Sequence, residues 1–376
     1  MLDLWRGLVL LGAGLAFWPY LGSHEPKWAF VMLGGATGFL LWRRLTWPDV
    51  LGLCIIVWSA FSLLWSSDWR EGVTTMIAVV GLFGVFLLFE QGKPFKLIGQ
   101  TAAVAVVGAV VLGFEFPEIF GGYFNQNWIT EFLVIVGVLA AVKGGLLGCG
   151  AAATAAIFVI FYNGSFAWGA AAASLAVMGL IALRWYWMAA IAFLGKINAV
   201  IFLLPFMGKD IADSFHARFE LWFNSIVLWT GAPIFGGGLG SYNHDYSAVA
   251  EAHVSSLGAP RFQNVFMYPG SAHNDALSLM VELGVVGFLL AGGFCWSVLK
   301  LRTDAMQAMR WPLAAAAGIC MIAFPLLLPS SAVFIAAMIG FAAHPGASSR
   351  SVSLAGLWRL CGGLLERRLL STTLGS

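Results

Sequence analysis

The chain has 376 residues, of which 60% are hydrophobic and only 10% are charged. A mean hydropathy of +0.87 excludes a water-soluble domain, because much of its apolar surface would find no core to enter. The net charge of +2 and the absence of a basic tract with interleaved aromatic residues argue against a nucleic-acid partner. The five cysteines form no CxxC motif and predict neither a disulfide framework nor a metal site.

Apolar runs long enough to cross a hydrocarbon core of about 30 Å recur along the whole sequence. They predict an all-α polytopic membrane protein, with residues 1–376 forming a single integral-membrane domain of about twelve transmembrane helices. The first run follows Asp3 and Arg6 and is interpreted as a span, since no signal-peptide cleavage site follows it. The predicted span cores are 8–22, 28–42, 50–65, 75–89, 97–114, 128–142, 146–162, 167–183, 188–206, 276–299, 311–327 and 331–343.

The distribution of positive charge predicts the orientation of these spans. With a cytoplasmic N-terminus, fourteen of the twenty lysines and arginines fall on the inner side, five fall outside, and Lys196 lies within the ninth span. Cytoplasmic loops are enriched in basic residues. We therefore expect a multi-pass protein of a bacterial inner membrane, with both termini and the 345–376 tail in the cytoplasm. The segment 207–272, between spans nine and ten, is then a periplasmic loop.

This long loop is the expected functional region, since connections of more than about 15 residues usually serve a function. It opens with a predicted amphipathic helix over 210–230, whose apolar face comprises Ile211, Phe215, Trp222, Ile226 and Trp229. Arg218 shares that face by spacing. Such an arginine either meets an anion or polar cavity or extends to lipid headgroups.

Three motifs in and after this loop occur in a fixed order. The first is 217–222, with Arg218 followed by Trp222; the second is 233–242 (PIFGGGLGSY); the third is Ala272-His273-Asn274 leading into 282–287 (ELGVVG). Together they resemble the O-antigen ligase and O-antigen polymerase superfamily. Upstream, 121–128, with Asn125 and Asn127, resembles the asparagine-containing outer loop of that superfamily. The chain departs from the pattern at Phe166, where an arginine is common.

The resemblance implies a glycosyltransferase that moves glycan from undecaprenyl diphosphate to an acceptor hydroxyl on the periplasmic face. This chemistry needs cations at the diphosphate and one base, without metal or cofactor. His273 is the candidate base, because an imidazole of ordinary pKa near 6.5 exchanges protons at neutral pH; a histidine at a helix start is otherwise often a cap. The expected diphosphate ligands are Arg218, Arg261 and Arg70, and the expected supporting residues are Asn274, Asn125, Asn127, Glu282 and Trp222.

Other features of the sequence permit more than one interpretation. The glycines of 236–241 lack the lysine and preceding strand of a phosphate cradle, which favours a flexible turn. Glu131 lies in an apolar run near Asn125 and Asn127, where it could line the same site. Glu282 follows His273 by nine residues, half a turn out of phase, and is not expected to orient it. Tyr242 and Tyr246 could stack on acceptor sugars or anchor the loop at the membrane.

The expected partners are an undecaprenyl-diphosphate-linked glycan, a lipid A core or glycan acceptor, and membrane lipids. A ligase, an O-antigen or exopolysaccharide polymerase and a protein-glycan ligase share the donor end and differ in the acceptor. The histidine-asparagine pair and the short chain favour the O-antigen ligase, with the polymerase as the alternative. Direct attack by one activated hydroxyl predicts inversion at the anomeric carbon. A transporter or flippase of a lipid-linked glycan is the alternative from another class, although no duplicated halves are apparent in the sequence.

Overall fold

The computed structural model describes residues 1–15, 25–43, 45–91, 95–115, 126–162, 209–257, 271–301, 303–320, 323 and 325–344. All regular structure in these ranges is helical, with twelve helices and no strand. The all-α prediction is therefore confirmed for the described part of the chain. Predicted spans 167–183 and 188–206, Lys196 and the 345–376 tail lie outside the described residues.

Ten of the helices overlap predicted spans, and two lie within the long loop. The bundle helices are α1 (Leu2–Leu15), α2 (Glu25–Leu41), α3 (Trp47–Ser62), α4 (Trp69–Glu90), α5 (Ile98–Glu115), α6 (Gln126–Lys143), α7 (Gly145–Tyr162), α10 (Asp275–Leu299), α11 (Asp304–Cys320) and α12 (Pro329–Ala343). The loop helices are α8 (Lys209–Gly231) and α9 (Tyr242–Leu257).

Two described helices, α4 with 22 residues and α10 with 25, are long and apolar enough to cross a membrane. At about 1.5 Å per residue, each exceeds the hydrocarbon thickness of about 30 Å. The other bundle helices have 14 to 18 residues. Length and composition thus identify two membrane-crossing candidates among the described helices, compared with twelve predicted spans.

The most completely buried of the described helices is α12, which packs against α4, and α4 also packs against α2. Gly35 and Gly38 on α2 face Gly81 and Gly84 on α4 so closely that a Cβ at Gly38 would lie 1.8 Å from the Gly84 carbonyl oxygen. Glycines at a crossing let two backbones approach directly. A second group of three helices, α5, α6 and α7, packs together beside α1, and α10 packs along α3.

The helix ends gather at two opposite ends of the bundle. At the first, the Arg6 end, the start of α1 meets the end of α4, and the Thr303 hydroxyl before α11 donates to the Ala342 carbonyl on α12, 3.1 Å away. At the second, the Arg218 end, the start of α10 meets the turn before α12, where the Leu326 N–H donates to Asp275, 3.2 Å away.

Arg6 completes the C-terminus of α4. Its side chain is 0% exposed and donates to the Leu88 carbonyl at 2.7 and 3.0 Å and to the Gln91 carbonyl at 2.6 Å. The last carbonyls of a helix have no partner within the helix. Arg6 on α1 therefore supplies donors that α4 itself lacks.

We expect Arg6→Met to lower the free energy of unfolding by about 2–4 kcal/mol, because it leaves buried carbonyls without donors. Thermal unfolding of the purified protein in detergent measures this loss. Arg70→Met is the control, since Arg70 is exposed and its guanidinium packs over the Trp69 ring. Equal unfolding temperatures for the two variants would contradict the assigned role.

The amphipathic helix of the long loop is present as α8; of its predicted apolar face, Trp222 and Trp229 are half-buried and Ile226 is exposed. Phe223 and Ile226 are 54% and 48% exposed, whereas Asn224 and Ser225 are buried. The buried polar groups bond to α9: the Asn224 amide donates to the Tyr246 hydroxyl at 3.3 Å, and the Ser225 and Tyr242 hydroxyls lie 2.7 Å apart. These bonds to α9 set the orientation of α8, so apolar residues point outward.

One predicted span is displaced along the chain. The expected core was 311–327, but α11 begins at Asp304 and ends at Cys320. Its N-terminus is capped by the Thr303 hydroxyl, which accepts a hydrogen bond from the Met306 N–H at 3.0 Å. The polar first turns of α11 lack the hydropathy that marks a span, which explains why the helix start was missed.

Candidate functional site

The candidate site lies at the Arg218 end, where α6, α8 and α10 approach one another. Arg218 on α8 is 9% exposed, and Glu131 on α6 and Asp275 at the start of α10 are also buried. Glu131 interacts electrostatically with both Arg218 and Asp275. Two of these groups were singled out from the sequence, and the structure brings them together.

His273 precedes α10 in an unusual backbone conformation. Its φ of 49° is the only positive value at a non-glycine residue among those described, and such residues cluster at functional sites. Its N–H donates to the Ser271 hydroxyl at 3.3 Å, and the Ala272 N–H donates to the Ser278 hydroxyl at 3.1 Å. The two hydroxyls fix the turn that presents His273.

Asn274 caps α10 through its side chain. The Asn274 side-chain oxygen accepts a hydrogen bond from the Leu277 N–H at 3.0 Å, as an asparagine at the residue before a helix commonly does. This places the predicted supporting residue Asn274 next to His273, with a structural task in starting the helix. Asp275, which the sequence did not mark as a site residue, is the first residue of α10 and faces Glu131.

The electrostatics of the site favour a neutral imidazole beside a charged guanidinium. Burial, and secondly the positive charge of Arg218, lower the pKa of His273 to about 4. Burial lowers the pKa of Arg218 to about 10, against the opposing effect of Glu131. At neutral pH His273 is therefore uncharged but less basic than the ordinary imidazole expected from the sequence, while Arg218 remains a cation for an anionic ligand.

On the C-terminal side of His273, α10 is interrupted at Gly284, where φ is 66° and ψ is −170°. The segment 233–238 fills the break with backbone hydrogen bonds. Gly237 and Gly238 N–H groups donate to the Val281 and Glu282 carbonyls, both at 2.9 Å; Val285 and Val286 N–H groups donate to the Pro233 and Ile234 carbonyls at 3.0 and 3.2 Å. The segment that the sequence predicts to be a flexible turn is thus hydrogen-bonded to α10. We call these four backbone bonds between 233–238 and α10 the splice.

Trp58 and Ser62 of α3, and Trp65 just after it, hold the splice from the other side. The Trp58 indole donates to the Leu283 carbonyl at 3.0 Å, and the Trp65 indole donates to the Gly236 carbonyl at 3.1 Å. The Ser62 hydroxyl accepts from the Leu239 N–H at 3.1 Å. Since the splice follows α8 directly and is built into α10, it ties the helix of Arg218 to the helix that His273 precedes.

The other predicted site residues lie on α10, α4 and α6 or outside the described residues. Glu282 faces the N–H groups of Gly240 and Tyr242 rather than His273, which agrees with its phase on the helix. Arg70 is exposed at the start of α4, and no hydrogen bond or ion pair among the described residues joins it to Arg218 or His273. Asn127 lies in the first turn of α6, and Arg261 and Asn125 lie outside the described residues.

Two further expectations concern binding groups. Tyr242 and Tyr246 are buried and stacked on each other with ring centroids 5.4 Å apart, so they do not offer open faces to a sugar. Within the described ranges, no three histidine, cysteine, aspartate or glutamate side chains lie close enough to hold a metal ion. The polar groups that the described residues bring together at the Arg218 end are the guanidinium, the imidazole and the buried carboxyls.

No family model matches the chain, and no curated protein matches it either. The likeness of its three motifs to the O-antigen ligase and polymerase superfamily therefore stays a prediction.

Proposed function

We propose that the chain is an integral membrane glycosyltransferase that transfers a glycan from a lipid diphosphate to an acceptor hydroxyl. The observation that carries this proposal is the placement of the buried Arg218 beside the half-buried His273, a cation beside a neutral imidazole. An arginine can bind phosphate oxygens in bidentate fashion, and a neutral imidazole can take the proton of an attacking hydroxyl.

The outer surface of the bundle supports a membrane environment. Val104, Val107 and Val111 form an exposed stripe on α5, and Val57 and Phe61 are exposed on α3. Large apolar patches are rare on soluble monomers, whereas a hydrocarbon surrounding accommodates them. Together with α4 and α10, the two candidate spans, this stripe supports a multi-pass membrane protein.

The gathering of helix ends supports the proposed orientation. The Arg6 end collects segments predicted to be cytoplasmic, including Arg6 and Lys143, and the Arg218 end collects segments predicted to be periplasmic. We propose twelve spans in a bacterial inner membrane, with both termini inside and the site facing the periplasm. An undecaprenyl diphosphate donor would then carry its head group to the Arg218 end.

In the proposed reaction, His273 takes the proton of the acceptor hydroxyl as its oxygen attacks the anomeric carbon of the donor. The bond from that carbon to the diphosphate oxygen breaks, and its electron pair leaves with the lipid diphosphate. Arg218 stabilises the negative charge that develops on the leaving group. A single displacement of this kind inverts the anomeric configuration and uses no metal.

Transfer from a purified undecaprenyl-diphosphate glycan to lipid A core, to glycan or to peptide tests this proposal. We expect wild-type protein to glycosylate one acceptor, and His273→Ala to reduce the rate by about 100-fold or more, because base catalysis contributes roughly 100- to 10,000-fold. His244→Ala is the matched control, since His244 is exposed on α9 beside Asp245. Binding or translocation of the lipid-linked glycan without transfer to any acceptor would contradict the proposal.

We propose an O-antigen ligase-like enzyme, and the acceptor in this experiment distinguishes it from the alternative. A polymerase of O-antigen or exopolysaccharide would instead extend its own glycan. The break in α10 favours a second candidate, since discontinuous helices are typical of transporters. In this chain, however, the backbone groups exposed at the break bond to 233–238 rather than facing a cavity. We therefore keep the transporter or flippase as the alternative and the transferase as the conclusion.

A further inference from the structure

The carboxyl group of Glu131 has no assigned task in the proposed reaction. Glu131 lies in the second turn of α6 and is 5% exposed. Its Oε2 is buried without a hydrogen-bond partner among the described residues. A buried carboxyl oxygen without a donor is costly, and native structures seldom retain one without a functional reason.

The surroundings of Glu131 place it at the candidate site. Glu131 interacts electrostatically with Arg218 and with Asp275, and Arg218 in turn interacts with His273. Asp275 is already engaged through the Leu326 N–H. Glu131 therefore offers an open acceptor oxygen in the group of residues that contains the proposed base.

The neighbouring helix α8 carries a buried hydrogen-bond donor without a partner among the described residues. Trp222 follows Arg218 by four residues on α8, so the two side chains share a face of the helix. The Trp222 indole N–H is buried without a hydrogen-bond partner among the described residues. Near the Arg218 guanidinium, α6 thus presents one unsatisfied acceptor, Glu131 Oε2, and α8 presents one unsatisfied donor, Trp222 Nε1.

We propose that Glu131 and Trp222 form a subsite for sugar hydroxyls of the transferred glycan, with Glu131 Oε2 accepting a hydrogen bond and Trp222 Nε1 donating one. A hydroxyl group can serve both partners, because it donates and accepts. This inference rests on the proposed function and names how the donor sugar is recognised.

The test compares two probes binding to the full-length protein in lipid nanodiscs. One probe is undecaprenyl diphosphate, and the other is the same lipid carrying one N-acetylglucosamine. We expect wild-type protein to bind the sugar-bearing lipid about 10-fold more tightly, as one or two hydrogen bonds provide. Glu131→Gln and Trp222→Phe, which keep side-chain volume, should reduce this preference while leaving the affinity for the bare lipid unchanged.

The matched control is Glu90→Gln. Glu90 is a buried carboxyl at the Arg6 end whose oxygens accept hydrogen bonds from Thr46 and Gln91, and its replacement should leave the sugar preference intact. Equal weakening of both probes by Glu131→Gln would overturn the subsite and make Glu131 a partner of Arg218 alone. Wild-type binding of both lipids with equal affinity would also overturn it, whereas binding of neither would overturn the proposed function as well.

Discussion

Gly284→Ala is expected to lower the free energy of unfolding by about 3 kcal/mol or more, because it opens the splice. The φ and ψ of Gly284 belong to a region that is essentially restricted to glycine. A Cβ there would also lie 2.2 Å from the Ile234 carbonyl oxygen. Since these obstructing atoms belong to backbone, the strain cannot be relieved by turning a side chain.

Hydrogen–deuterium exchange of the purified protein measures this effect locally. We expect the amide protons of Gly237, Gly238, Val285 and Val286 to exchange slowly in wild-type protein and faster in Gly284→Ala, because they form the four bonds of the splice. Gly292→Ala is the matched control on the same helix, where a Cβ would meet nothing within 4 Å. Unchanged exchange in Gly284→Ala would show that the break in α10 does not depend on the splice.

The same experiment can establish whether Gly236 and Gly284 act together. A Cβ at Gly236 would lie 2.3 Å from the Glu282 carbonyl oxygen, so Gly236→Ala should open the same bonds. Two substitutions that disrupt one unit are not additive. The double variant should therefore lose less stability than the sum of the two single losses.

Arg218→Gln is expected to reduce glycan transfer by about 100- to 1000-fold, the usual cost of removing a group that stabilises developing negative charge. It should also change the pH dependence. Arg218 is the second cause, after burial, of the low pKa of His273, so its removal raises that pKa. The acid limb of kcat/KM, near pH 4 in wild-type protein, should move to higher pH.

The lowered pKa of His273 also makes the folded protein less stable in acid. Below pH 6.5 the unfolded chain protonates His273, whereas the folded chain does so only near pH 4. The contribution of this residue to stability is therefore complete above pH 6.5 and decreases as the pH falls toward 4. An acid limb near pH 6.5 in wild-type protein would contradict both the burial of His273 and its coupling to Arg218.

Two comparison variants separate charge from geometry at Arg218. Arg218→Lys retains the positive charge and should keep the acid limb in place, but it loses the bidentate contact and part of the rate. Lys300→Gln removes an exposed cation that packs over Trp296, after the other end of α10. It should change neither the transfer rate nor the acid limb.

Sequence patterns predicted the parts of the fold that depend on hydropathy. The apolar runs of α4 and α10 are both present as helices: α10 matches the expected bounds to within one residue, whereas α4 begins six residues earlier than expected. The buried face of α8 could not be obtained in this way, because it includes polar side chains that an apolar pattern does not mark. Asn224 and Ser225 are buried instead, through their bonds to Tyr246 and Tyr242.

The candidate site was predictable only where a side chain carries the chemistry. His273 and Arg218 have residue types and spacings that indicate a function, and they lie together in the structure. The splice was not predictable, because its bonds join backbone groups that every residue possesses. Gly236 and Gly284 were the available signal, and a close backbone approach is one of the reasons for which glycine is required.

Unlike most loops, the segment 233–238 should not tolerate changes in its length. Connections between helices generally accept insertions because few contacts constrain their backbone. The segment 233–238 behaves instead like a strand in register with its partner, since four of its backbone groups must face four groups of α10 in order. One inserted residue would displace every following pair, so homologous chains that share this fold should keep the spacing between Pro233 and Gly238 constant.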